Sequence, residues 1–446
     1  MNGNELYLRD KNVIADVLKL RFFPVVAQRG KGSTLTDADS KEYLDFSAGW
    51  AVANTGYCHP RIIKAANEQM QKLSFSSLTS IMSEESILLG EKICALIDGD
   101  FEKKVWFGHS GSDANELLAK MLPLATKRPR IITFVGSYHG MTMGSYSMSG
   151  HPAQSTFIGG GNVIKIAYPY CYRCPFAKEL ETCNFFCLKY VKEFVLGSVV
   201  PANQVGAIIA EAVQSDGGDV VPPKGYFKEL QRICKDNGIY LIFDEVKVGY
   251  GRTGKMFGFN HDEVNPDAVV LGKPMASGQP LSAVVGRKEI MDAATGAHLF
   301  TTGGNPVACA CGLETLAIIE DEKLIKNAAV IGDFLKNEFL LLAKRYDVIG
   351  DVRGRGLIIG IELVLDRKSK KPASDLAAVV SYRCYELGLI LFCTGISSNV
   401  LEMTPPLVLT KDEAKKAVGI IERSLSDAIN NRVDEKKVKE FAGWAI

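Results

Sequence analysis

Between about residues 105 and 325, short apolar β-rich segments alternate with amphipathic helical stretches, and this rhythm constrains the fold more than any other feature of the 446 residues. A strand buried on both faces reads as an unbroken run of Val, Ile and Leu, and parallel strands need crossovers long enough to hold a helix. Residues 130–135, 205–211, 238–246, 268–272 and 282–286 read as such strands. The expected fold is α/β with a mostly parallel sheet, and its chemistry should sit at strand ends and in the loops that follow.

After a helical stretch over 305–321 the pattern changes. A helix, an apolar strand region over 348–362, a helix over 373–387, short strands at 389–393 and 400–403 and a helix over 411–430 describe a smaller α+β unit. Tyr43-Leu-Asp-Phe-Ser-Ala-Gly-Trp50 reads as a strand leading into a loop, so residues 1–60 are expected to complete that unit. The division is then a large domain over 61–325 and a C-terminal small domain over 326–446.

Charge is balanced, with 52 basic and 51 acidic residues, and no basic stripe points to nucleic acid. Glu5, Arg9, Asp10, Lys11, Asp16, Lys19 and Arg21 interrupt any apolar core of a signal peptide. No run reaches the roughly 20 apolar residues that span a bilayer. These features predict a cytoplasmic protein that handles small molecules. Among eleven cysteines, four form a pattern, Cys171-x2-Cys174 and Cys183-x3-Cys187, within a loop insertion. That spacing suits a structural metal, two disulfides or free thiols equally, and no catalytic role is assigned to it.

Three elements carry chemistry. Asp267-Ala-Val-Val-Leu-Gly-Lys273 is an apolar run ending in a lysine beside small residues, where a partly desolvated amine can hold a carbonyl cofactor as an imine. Ile239-Tyr-Leu-Ile-Phe-Asp244 places a carboxylate at the end of a buried strand, where it can keep a pyridine nitrogen protonated. In Val105-Trp-Phe-Gly-His-Ser110-Gly111-Ser112 a strand passes through a small-residue turn into a helix, whose free amides and a serine hydroxyl make a phosphate site. Imine lysine, pyridinium carboxylate and phosphate cradle are the handles that pyridoxal 5'-phosphate requires.

With Phe107-Gly-His-Ser-Gly-Ser-Asp-Ala-Asn-Glu116, Gly136-Ser-Tyr-His-Gly140, Phe243-Asp-Glu-Val246, Gly251-Arg-Thr-Gly254, Leu271-Gly-Lys273 and Thr301-Thr-Gly-Gly-Asn-Pro306, the chain resembles the class III aminotransferases of fold-type I. The resemblance implies that Tyr138 stacks on the cofactor ring. It also implies that Thr301 reaches the phosphate of a neighbouring subunit, hence a homodimer with shared sites.

Three positions depart from the aminotransferase pattern. Lys247 stands where many relatives have a glutamine, and can still donate to the cofactor's phenolic oxygen. Glu402 replaces the arginine with which aminotransferases of the 4-aminobutyrate and ornithine type hold the α-carboxylate of 2-oxoglutarate, and a carboxylate there repels that acid. Asp216 stands where those enzymes carry a longer glutamate. In Gln214-Ser-Asp-Gly-Gly218, Arg21-Phe-Phe-Pro24, Val400-Leu-Glu-Met-Thr-Pro-Pro-Leu407 and Phe441-Ala-Gly-Trp444 the chain looks most like the α-amino-ε-caprolactam racemases. At Pro280-Leu-Ser-Ala-Val284 and His298-Leu-Phe-Thr-Thr302 it is similar to the branched-chain amino acid 2-epimerases. Trp50 then walls the substrate pocket, and Lys273 and Asp216 become the two acid/base groups that inversion at Cα needs on opposite faces. The expectation is a racemase or epimerase acting on an amino acid, α-amino amide or α-amino lactam. An ω-amino acid aminotransferase stands second, and a non-catalytic binding protein on the same fold a distant third.

Overall fold

A Gly32-Ser33 turn and a turn in which the Asp37 carboxylate accepts from Asp39 N and Lys41 N break the first part of the chain into a small antiparallel meander of β1 (Ala27–Lys31), β2 (Thr34–Asp37) and β3 (Glu42–Asp45). The structure is a computed structural model that describes residues 1–152 and 161–441. The last three residues of the Phe441-Ala-Gly-Trp444 motif lie outside the described residues.

The central sheet has seven strands: β4 (Lys103–Gly108), β5 (Arg130–Phe134), β6 (Val163–Ile166), β7 (Val205–Glu211), β8 (Tyr240–Asp244), β9 (Ala268–Leu271) and β10 (Ser282–Arg287). Their order is β4-β10-β9-β8-β7-β5-β6, with β10 alone antiparallel to its neighbours. Every residue of β7 and β9 is buried, which is why those runs are apolar without alternation. The two faces still differ by residue parity. Leu241 and Phe243 join the larger core while Ile242 joins the smaller one with Leu118, Met121 and Val270.

The C-terminal part forms an antiparallel sheet of β11 (Ile349–Arg355), β12 (Ile358–Leu363), β14 (Phe392–Thr394) and β15 (Val400–Met403), in the order β11-β12-β15-β14. Between β12 and β14, strand β13 (Leu389–Ile390) pairs parallel with β3, so the first strands of the chain close on its last third. The helices Ser374–Glu386 and Lys411–Ile429 pack together beside this sheet, the second opened by a Thr410/Glu413 capping box. Buried Arg252 ties the parts together, donating to Asn54 Oδ1 at 2.5 Å, to the Leu357 carbonyl at 2.9 Å and to the Pro405 carbonyl.

No helix among the described residues is long and apolar enough to cross a membrane. All eleven cysteines are free thiols. Cys171, Cys174, Cys183 and Cys187 line one small apolar cavity, and burial pushes Cys171 and Cys187 up to about 11. No disulfide links them, and among the described residues no group of three or more His, Cys, Asp or Glu side chains is arranged to hold a metal ion.

Candidate active site

The turns after β4, β5, β7, β8 and β9 open on one cavity of about 370 Å3. Ser110, Gly111, Ser112, Tyr138, Asp216, Asp244, Lys247 and Lys273 all line it, whereas Trp50 and Thr301 do not. Carboxyl ends of parallel strands converge in this way because the crossover helices carry each chain back outside the sheet.

At one end lies the start of the helix Gly111–Thr126. Ser110 caps it: the Ser110 hydroxyl accepts from Asp113 N at 3.3 Å, and Ser110 N donates to Asp113 Oδ1 at 2.9 Å. The Ser110 amide is thus consumed by the capping box, and the amides of Gly111 and Ser112, in the first helical turn, are the orphan donors for an anion. Gly140, at φ 126°, lies so close that a Cβ there would come within 2.6 Å of Ser112 Cα. That approach requires glycine and leaves a cradle of phosphate size.

Deeper in the cavity, Asp244 is fixed by three donors. His139 Nδ1 and Asn115 Nδ2 donate to Oδ2 at 2.7 and 2.8 Å, and Val246 N donates to Oδ1 at 3.0 Å. All three hold a carboxylate in one orientation, which suits a buried anion facing a pyridinium. Neither His139 nor Asn115 was singled out from the sequence. Both lie within the quoted motifs, but only the fold turns them onto Asp244.

Two lysines face the cavity from different sides. Lys273 leaves β9 through extended Gly272 and takes up a left-handed φ of 39°, which aims it inward from a short turn. Burial, then the nearby Lys247 charge, press its pKa down to about 8 against the pull of Asp216, Glu402 and Asp244. Lys247, three residues past the end of β8, is clamped by Glu402 of β15 at 2.7 and 2.9 Å. Burial works against that ammonium, but Glu402, then Asp216, outweigh it and hold its pKa above the ordinary lysine value. Glu402 is only 1% exposed, a buried charge partner and not a surface residue ending its strand. It also accepts from Ser215 Oγ at 2.7 Å.

Asp216 is half-buried on the loop after β7, and among the described residues no donor bonds its carboxylate. Its carbonyl accepts from Gly395 N at 3.0 Å, which ties the loop to the C-terminal sheet. Burial, then Asp216, raises the Tyr138 phenol to about 12. Trp50 sits one layer back: Lys247 Nζ lies 5.0 Å from its ring centroid, and Phe392 packs on it at 4.5 Å. Thr301 is exposed and lies outside this cavity's lining, its carbonyl accepting from Ser77 Oγ at 3.0 Å. Glu211, at the end of β7, is a further lining carboxyl that sequence reasoning passed over, although an acid ending an all-apolar strand was its signal. Burial, then Asp244 and Asp216, hold it well above the carboxylate range.

The family model described as aminotransferase class-III matches residues 17–425. The chain belongs to the class III aminotransferase family. It is an enzyme of that family, and its cofactor is pyridoxal 5'-phosphate. Among its relatives, an alanine/serine racemase of Pyrococcus horikoshii is 40% identical, covering 98% of this chain and 93% of the relative. A leucine/methionine racemase of Thermococcus litoralis is 39% identical over the whole of both chains. The solved structure of a Bacillus anthracis aminotransferase superposes with a TM-score of 0.88 at 32% identity, covering 95% of this chain and 98% of that one. The fold-type I architecture read from the sequence is the one found.

Proposed function

We propose that this class III enzyme is an amino acid racemase or epimerase that inverts Cα by a two-base mechanism, with Lys273 and Asp216 as the bases. The observation that carries the reading is the buried Lys247–Glu402 ion pair. Glu402 takes the ammonium on both oxygens, so this cation is spent inside the protein and is not offered to the second carboxylate of a dicarboxylic keto acid. The names of the two archaeal relatives, both racemases, support the same reading.

Pyridoxal phosphate supplies the electron withdrawal that acidifies the substrate's Cα–H bond. The chain's own residues divide the remaining work. The Gly111 and Ser112 amides and the Ser110 hydroxyl hold the phosphate, and Tyr138 flanks the ring. Asp244, oriented by His139 and Asn115, holds the ring nitrogen's proton. Lys273 would hold the cofactor, and its amine would move a proton at one face of Cα. An amine with pKa about 8 suits that exchange near neutrality. Asp216, unbonded on the loop after β7 and lining the same cavity, is the group assigned to the proton at the other face. The Lys247 stem lines the substrate side, and Trp50 backs it from the layer behind rather than forming the wall itself. We assign Thr301 to the phosphate of a partner subunit, in a cytoplasmic homodimer whose substrate is a free amino acid, α-amino amide or α-amino lactam.

The test incubates holoenzyme with one enantiomer of a neutral amino acid in deuterium oxide without any keto acid. The expected result is loss of optical rotation with deuterium at Cα and an unchanged cofactor spectrum. Stoichiometric conversion to the pyridoxamine form, with efficient turnover only on adding 2-oxoglutarate, would return the reading to an ω-amino acid aminotransferase.

A further inference from the structure

Behind Lys247 lies a second carboxyl group. Asp219 is wholly buried, on the loop that carries Asp216, and neither of its oxygens has a hydrogen-bond donor. It lies against Gly360 of β12, where a Cβ would come within 3.1 Å of Asp219 Oδ2, and Gly360 stands directly opposite Glu402 in the β12–β15 ladder. That register makes Glu402 the neighbouring carboxyl group of Asp219. The other charged groups facing Asp219 are Lys247 and, from β11, Arg353. Lys247 is engaged with Glu402, and Arg353 donates through Nε to the Gly218 carbonyl at 2.7 Å and through Nη1 to Asp351 at 2.9 Å and Glu362 at 2.6 Å, while its Nη2 is buried without a partner and makes no hydrogen bond to Asp219.

Two neighbouring carboxyl groups in a dry site, one of them with no donor at either oxygen, are not both charged. Glu402 already takes Lys247 and Ser215, both of which need acceptor oxygens, so the proton belongs on its neighbour. We infer that Asp219 is a neutral carboxylic acid that donates its proton to Glu402, and that through Glu402 it is a positioning residue for Lys247 and for the Ser215–Asp216 loop. Glu402 then receives three donors, from Lys247, Ser215 and Asp219. The base loop is pinned at both its ends, by Ser215 and by Asp219, leaving Asp216 itself unbonded between them. Burial, then Glu402, raises the Asp219 pKa well above the carboxylate range, in keeping with this geometry.

The functional half of the inference rests on the racemase reading; the proton does not, and the two are tested separately. Infrared difference spectra of wild-type holoenzyme against Asp219→Asn at neutral pH should show one protonated carboxylic-acid C=O band, shifted in deuterium oxide and absent from the variant. Its absence overturns the inference whatever the reaction proves to be. A group whose folded pKa is raised contributes stability that is whole below the unfolded value and is lost as pH rises toward the folded one. The melting-temperature advantage of wild type over Asp219→Asn should therefore shrink from acidic toward alkaline pH, and an advantage that grows would contradict it. In kinetics, Asp219→Asn, which still donates to Glu402, should keep inversion within about threefold, because the donor and its geometry survive. Asp219→Leu should lower kcat at least about tenfold with KM nearly unchanged, because the loss falls on placement of the base rather than on binding. Wild-type kcat in a folded Asp219→Leu enzyme, or a hundredfold loss in Asp219→Asn, would sink the positioning role.

Discussion

The two buried lysines of this cavity began as the same side chain and were driven in opposite directions. Lys273 emerges from the parallel sheet into a turn of small residues, where no carboxylate is bonded to it, and burial leaves its amine near pKa 8. Lys247 emerges from the neighbouring strand, meets Glu402 from the antiparallel C-terminal sheet and stays charged. Desolvation alone makes a lysine a nucleophile and a base, while desolvation with a bonded carboxylate makes it a fixed cation. One cavity thus holds a reactive amine and a structural ammonium, and the difference is set by a single residue of β15.

The sharpest way to break this comparison is to ask which lysine carries the cofactor. Borohydride reduction followed by peptide mapping should mark Lys273, and Lys273→Ala should lower racemisation by at least about 10^4-fold, since covalent attachment and one proton transfer vanish together. A label on Lys247 would reverse the assignment.

Asp216→Asn comes next. It should cost about 10^2- to 10^4-fold in inversion in both directions, because each face needs its own acid/base group, while α-proton exchange of one enantiomer persists through Lys273. Inversion retained in that variant would end the two-base proposal.

Glu402→Gln probes the other lysine. Removing one partner of a buried pair leaves an uncompensated ammonium, and the expected loss is about 3 kcal/mol in denaturant unfolding. The same substitution should bring Lys247 toward the behaviour of Lys273. Amine-directed labelling read by mass spectrometry reports this directly. In the cofactor-free wild-type protein the reactive form is the neutral amine, so Lys273 should label with a midpoint near pH 8 rather than the ordinary lysine value of 10.5. Lys247 should resist labelling throughout and become reactive only in Glu402→Gln. Equal midpoints for both lysines in wild type would erase the distinction. The smallest effect is expected from Trp50→Leu, which removes the ring beside the Lys247 ammonium and should cost about 1 kcal/mol of stability.

How far the sequence reaches depends on which kind of contact a residue makes. Strands β5 and β7 to β10 were legible because burial on both faces demands apolar runs, and the boundaries fell within a few residues of those read. Lys273, Asp244 and the Ser110–Ser112 turn were legible because each sits at a strand end, a position that chain order alone specifies. The capping box at Ser110 shows the limit of that reading, since only the fold shows which amides of the turn are free: Asp113 takes that of Ser110. The cysteine pattern shows another, because spacing fits several chemistries equally, and only the placement of side chains shows four free thiols around one apolar cavity.

By itself, then, the sequence determined the α/β rhythm, the strand-end chemistry, the cofactor class and the absence of the expected arginine at Glu402, all of them properties of local order along the chain. The tertiary structure alone decided that Glu402 seizes Lys247, that His139 and Asn115 steady Asp244, and that Asp219 lies beneath Glu402 without a donor. Those pairs are far apart in the chain, and a charge or proton is assigned by what lies across the space between elements, in a medium too dry for water to settle it.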